Sequence, residues 1–129
     1  MNKKDKWNSE YYTEHSDPQE QSALSVLDKI KFKGNESILD IGCGDGRTTA
    51  EIASRVPEGS IIGIDQSANM VNAATKTYKN IRNLSFRKAD AVNFKPEQQF
   101  DIIISFFALH WIADQEKLFK NIKKFIKAY

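Results

Sequence analysis

Runs of consecutive apolar residues alternate along this chain with segments whose apolar positions recur every three or four residues. SILDI (37–41) and SIIGID (60–65) are short and rich in isoleucine, which predicts strands buried on both faces of a sheet. FDIIISFF (100–107) has the same character, and LSFRKAD (84–90) reads as a less apolar strand between them. Helical periodicity fills the intervals. Asp17, Pro18 and Glu20 occupy the N-cap, first-turn and capping-box positions of a helix with an apolar face of Ala23, Val26, Leu27 and Ile30, ending before Gly34. RTTAEIASRV (47–56) is a second helix, stopped by Pro57 and Gly59. Ser67 caps a third that buries Met70, Val71, Ala74 and Tyr78. The last segment sets Leu118, Phe119, Ile122, Phe125 and Ile126 against a solvated face of Lys117, Lys120, Lys123, Lys124 and Lys127.

Strands alternating with helices in this order predict an α/β fold with an open parallel sheet. Such sheets take ligands beyond the carboxyl ends of their strands. The unusual residues gather there: Asp40, Gly42, Gly44 and Gly46 around the end of the first strand, Asp65 closing the second, Asp90 after the third, and His110 and Trp111 after the fourth.

Three of only six glycines stand at alternate positions in LDIGCGDGRTT (39–49). Residues without a Cβ let a ligand lie against the main chain, here close to the amides that open a helix. Asp65, about twenty residues on, is placed to accept the hydroxyls of a ribose. Together they suggest a nucleoside. The spacing G-x-G-x-G differs from the G-x-G-x-x-G of nicotinamide dinucleotide sites, and the Asp40 carboxylate would oppose a pyrophosphate while favouring an ammonium.

Composition narrows the setting. With 129 residues there is room for one domain, and a formal charge of +2 gives no electrostatic argument for nucleic acid. The lone Cys43 and two histidines permit neither an internal disulfide nor a zinc site, so no metal is expected. Cys43 reads as a small packing residue. No apolar run is long enough to span a bilayer, and a cytoplasmic location is expected.

The run ILDIGCGDG, followed at these intervals by GIDQS and ADA, closely resembles class I S-adenosylmethionine-dependent methyltransferases. That resemblance implies a Rossmann-like sheet of order 3-2-1-4 with flanking helices. It assigns Gly42, Gly44 and Gly46 to the cofactor loop, Asp40 to the methionine end, Asp65 to the ribose and Asp90 to the adenine, with Met70 packing on its ring and Gln66 and Ala91 as further cofactor-binding residues. WNSEYYTEHSDPQEQSALSVL and FFALHWIADQEKLFKNI further resemble small-molecule methyltransferases of the trans-aconitate, juvenile hormone acid and malonyl-thioester types. By that likeness residues 1–20 form a lid carrying Trp7, Tyr11 and Tyr12, residues 21–129 form the cofactor domain, and Gln19, His110 and Trp111 orient a small acceptor, a carboxylate. Relatives of this kind continue into strands five to seven, so the chain is expected to hold the cofactor half and to leave residues 101–107 as a bare sheet edge through which it either dimerises or exchanges segments with another chain. Two other functions remain open: a module that binds the cofactor or S-adenosylhomocysteine without turnover, and a dinucleotide-dependent dehydrogenase fragment.

Overall fold

A computed structural model describes residues 18–106 and 112–127. The elements in chain order are α1 (Pro18–Lys29), β1 (Ser37–Ile41), α2 (Arg47–Arg55), β2 (Ser60–Asp65), α3 (Ala68–Thr77), β3 (Leu84–Lys88), β4 (Ile102–Ile104) and α4 (Gln115–Ile122). Helix α1 lies in a unit that ends at Lys31, and the sheet lies in a second unit from Phe32 onward. Within α1, Ala23 and Leu27 are buried, whereas Val26, expected on the same face, is 46% exposed.

The four strands form one parallel sheet in the order β3-β2-β1-β4. Strand periodicity then sorts the side chains. Leu39 and Ile41 of β1 and Ile62 and Ile64 of β2 share a core with Phe94, Phe100, Leu118 and Phe125. Asp40, one residue out of step, turns to the other face and meets Thr49 of α2. Helices α2 and α3 both pack on β2 and β3. Ile38, Leu39, Ile52, Ile61, Ile64 and Leu118 have lost almost all contact with solvent. Each such aliphatic side chain stabilises the fold by about 1.5–3 kcal/mol relative to exposure, so the central strands anchor the domain.

Local chemistry explains several boundaries. Ser67 caps α3 by accepting from the Met70 amide at 3.2 Å. Asn83 donates to the carbonyls of Ala53 and Val56 at 3.0 and 2.9 Å, satisfying groups that the end of α2 leaves unpaired. Asp114 caps α4 through the Lys117 amide.

The structure corrects four details of the pattern reading. Met70 is 45% exposed in the first turn of α3, and Tyr78 is only half-buried, because Val71 and Ala74 make the contact face. In α4, Phe119 is 49% exposed while Asn121 is buried, since the Asn121 amide finds two carbonyl partners inside. The helix also stops at Ile122. Phe125 to Lys127 leave its axis and pair with Phe100, whose amide donates to the Phe125 carbonyl at 2.8 Å and whose carbonyl accepts from the Lys127 amide at 2.9 Å. This pairing lies just before β4; among the described residues no strand pairs with the outer side of Ile102–Ile104, within the edge expected to be bare, and Ile126 remains 37% exposed. Finally, β3 and β4 are shorter than the apolar runs that announced them.

Candidate functional site

A cavity of about 240 Å³ opens at the carboxyl ends of β1, β2 and β3. Ile41, Ile64, Ala89, Ala91 and Ile112 give it apolar walls, and Gly42, Asp65 and Gln66 bring polar groups to it. Apolar faces with a few convergent polar atoms suit a flat ring joined to a hydroxylated part.

The glycine loop is hydrogen-bonded to β2. The amides of Gly42 and Cys43 both donate to the Ile64 carbonyl, at 2.8 and 3.0 Å. Gly44 then donates its amide to Asp65 Oδ2 at 3.0 Å, while the Ser67 amide donates to Asp65 Oδ1 at 2.9 Å. Two backbone amides thus fix the carboxylate plane. Each oxygen retains acceptor capacity, because a carboxylate oxygen has two lone pairs and uses one here.

The glycines divide the labour. Gly44 has φ +56°, and among the described residues nothing lies within 4 Å of the place a Cβ would occupy, which leaves room there for a ligand. Gly46 has φ +85°, and a Cβ there would lie 2.6 Å from Phe86 Cζ and 3.0 Å from the Ala74 Cβ. Its lack of a side chain serves the packing of α2 against β3 and α3. Gly63 of β2 serves packing too, since Cys43 lies across it.

Asp40 is buried, and Thr49 Oγ1 donates to its Oδ2 at 2.8 Å. Burial pushes the carboxyl up to about 7, the nearby Asp65 charge adds to the rise, and the Thr49 hydrogen bond opposes it. Cys43 is also buried, and loss of solvent together with the two neighbouring carboxylates drives its thiol well above the ordinary range. An un-ionised thiol is a poor nucleophile, which agrees with a packing role.

Of the residues singled out from the sequence, the cavity brings together Gly42, Asp65, Gln66 and Ala91, with Gly44 bonded to Asp65. Asp90 is exposed beside Ala91, its carboxylate accepting from the Val92 amide at 3.0 Å and from Asn93 Nδ2 at 3.2 Å. Met70 is not among the lining residues. Gln19 is exposed on α1. Trp7, Tyr11, Tyr12, Asp17, His110 and Trp111 lie outside the described residues. Ile41, Ile64, Ala89 and Ile112 line the cavity without having been anticipated. The first three could have been found from the ends of the strand runs, whereas Ile112 carried no signal of its own. Among the described residues no group of acidic, histidine or cysteine side chains could hold a metal, and no helix is long and apolar enough to cross a membrane.

Residues 38–128 match the methyltransferase domain family. The chain belongs to that family. It is 37% identical over 122 residues to the 235L protein of Invertebrate iridescent virus 6, which bears a methyltransferase name, covering 95% of this chain and 45% of that protein. It is 32% identical over 116 residues to the trans-aconitate 2-methyltransferase of Methylobacterium radiotolerans, covering 90% of this chain and 44% of that one. Among solved structures, phosphoethanolamine N-methyltransferase 2 of Haemonchus contortus, in complex with S-adenosyl-L-methionine, superposes with a TM-score of 0.73 at 28% identity, covering 83% of this chain and 26% of that one. The chain thus spans less than half the length of these relatives. Sheet order and family together make this the Rossmann-like fold of the class I S-adenosylmethionine-dependent methyltransferases, and the dehydrogenase alternative falls away.

Proposed function

We propose that this chain binds S-adenosylmethionine in the cavity above β1 to β3 and serves methyl transfer to a small acceptor. The carrying observation is the Asp65 carboxylate, held at the cavity by the Gly44 and Ser67 amides with a free lone pair on each oxygen. Family membership supplies the cofactor's identity. Asp65 receives the ribose hydroxyls, Gly42 and the open side of Gly44 let the ligand lie against the main chain, and Gln66 and the Ala89–Ala91 wall flank the nucleoside. Asp90 is assigned to the adenine and Asp40 to the methionine end, where an incoming ammonium favours the ionised carboxylate.

When bound, the cofactor supplies a sulfonium-activated methyl group. The protein's part is to align acceptor and cofactor and to exclude water, an effect that lowers a bimolecular barrier by about 7–11 kcal/mol when geometry is good. We assign a carboxylate acceptor, which is ionised at neutral pH and requires no general base. Gln19, His110 and Trp111 are its orienting residues, an assignment supported by likeness to the trans-aconitate methyltransferases.

Mass spectrometry of a panel of small carboxylic acids, incubated with the chain and methyl-labelled S-adenosylmethionine, tests the reading. A labelled methyl ester is the expected product. Cofactor binding without any labelled product favours the second reading, a module that binds the cofactor without turnover.

A further inference from the structure

Asn121 and Leu118 are the buried residues of α4. A buried amide must spend its hydrogens on partners, and Asn121 spends both. Its Nδ2 donates to the carbonyls of Ala91 and Phe94, each at 2.9 Å. Those carbonyls belong to the turn that follows β3, and Ala91 forms part of the cavity wall.

Other hydrogen bonds of this turn stay within it. Asn93 donates its amide to the Asp90 carbonyl at 3.0 Å, and Asp90 accepts from Val92 and Asn93. Such bonds shape the turn without fixing its place on the sheet. The fixing is done at one end by the Ala89 amide, which donates to the Asp65 carbonyl at 3.0 Å, and at the other from α4 and the segment after it. There Asn121 grips the backbone, and Phe125 meets Phe94 edge-on with centroids 5.9 Å apart. A helix thirty residues downstream in sequence therefore holds the wall against which the nucleoside is read.

We propose that Asn121 is a positioning residue for recognition of the nucleobase: by clamping Ala91 and Phe94 it sets where Ala91 and Asp90 stand relative to a bound adenine. The inference rests on the cofactor reading given above. It makes base selectivity, and not merely stability, depend on a side chain that touches no ligand.

Two variants test it. N121D keeps the side chain's shape but sets carboxylate oxygen against two carbonyl oxygens, and N121A leaves space for a water to bridge them. Each is titrated with S-adenosylhomocysteine and with S-inosylhomocysteine, which lacks the exocyclic amine, and amide hydrogen exchange is followed at Val92 and Asn93 and across β2. The wild-type chain is expected to prefer the adenine ligand by about ten-fold or more, as a site built to pair a polar group rejects an analogue without it. In the variants that preference falls to within about three-fold and the Val92 and Asn93 amides exchange at least about ten times faster, while the β2 amides stay protected. An unchanged preference in both variants overturns the proposal, as does no preference in the wild type. Equal loss of protection in the turn and in β2 for both variants also overturns it, since Asn121 would then serve stability alone. Failure of the wild-type chain to bind either ligand instead sinks the cofactor reading on which it rests.

Discussion

Replacing Gly46 with alanine, beside the same change at Gly44, separates the glycine that shapes the fold from the glycine that admits a ligand. Both positions have positive φ, +85° and +56°, so either alanine takes on a left-handed backbone strain of about 1–2 kcal/mol. Among the described residues, only at Gly46 does the new methyl meet an occupied space. It would sit 2.6 Å from Phe86 Cζ and 3.0 Å from the Ala74 Cβ, and neither neighbour is a loose end: Ala74 is fully buried in α3 and Phe86 lies in β3. Overpacking of this kind adds about 1–3 kcal/mol, for a total of about 2–5 kcal/mol at Gly46. For a domain of this size each kcal/mol lowers the melting temperature by roughly 4 °C, giving about 8–20 °C for Gly46→Ala and about 4–8 °C for Gly44→Ala. Ligand affinity follows the opposite order: Gly44→Ala impairs S-adenosylhomocysteine binding in a protein that remains folded. Calorimetric melting and titration of both variants decide the matter. Equal melting losses, or a Gly46→Ala chain as stable as Gly44→Ala with weaker binding, would refute the division of roles.

Asp65→Ala removes two charge-assisted acceptors from the ribose and is expected to weaken cofactor binding by about 2–4 kcal/mol, read by titration; unchanged affinity contradicts the ribose assignment. Asp40 has its carboxyl raised to about 7 in the folded chain. The folded state therefore keeps this proton over a range in which the unfolded chain has lost it, so the stability linked to Asp40 is full below about pH 4 and is lost as pH rises through 7. Melting temperatures of wild type and Asp40→Asn should draw together at low pH and separate as pH rises toward neutral, with the wild type falling relative to the variant; parallel curves would contradict the burial of an ionisable Asp40. Among the described residues no strand pairs with the outer edge of β4 at Ile102–Ile104, and we expect concentration-dependent self-association that Ile103→Lys suppresses, measured by light scattering. A strictly monomeric wild type across the series would remove the edge as its cause.

The strands and the ligand end of the sheet were legible because their signals are local. The stretches 61–64 and 38–41 are short and rich in β-branched isoleucine, and Ser67 announces its helix by a side chain that reaches only three residues ahead. Asp65 stood out because the glycine turn and the acid follow successive strands of one strand–helix–strand unit, both at the carboxyl edge of the sheet. Features that depend on partners distant in sequence were not legible. Asn121 looks like a solvent-facing polar residue until the Ala91 and Phe94 carbonyls are brought under it. Gly46 looks like a ligand glycine until Phe86 and Ala74 arrive beside it. Phe119 and Val26 fit apolar helical stripes, yet each is nearly half exposed. Phe125 continues the helical period of α4 but is drawn into pairing with Phe100, a contact no periodicity contains.

The central claim, that the cavity at the ends of β1, β2 and β3 is a nucleoside site of the methyltransferase kind, is tested most directly by isothermal titration of the 129-residue chain with S-adenosylhomocysteine and, separately, with NAD. Saturable one-to-one binding of S-adenosylhomocysteine, abolished or strongly weakened by Asp65→Ala and not matched by NAD, is the predicted result. Binding of NAD with no binding of S-adenosylhomocysteine, or S-adenosylhomocysteine binding indifferent to Asp65, would contradict it.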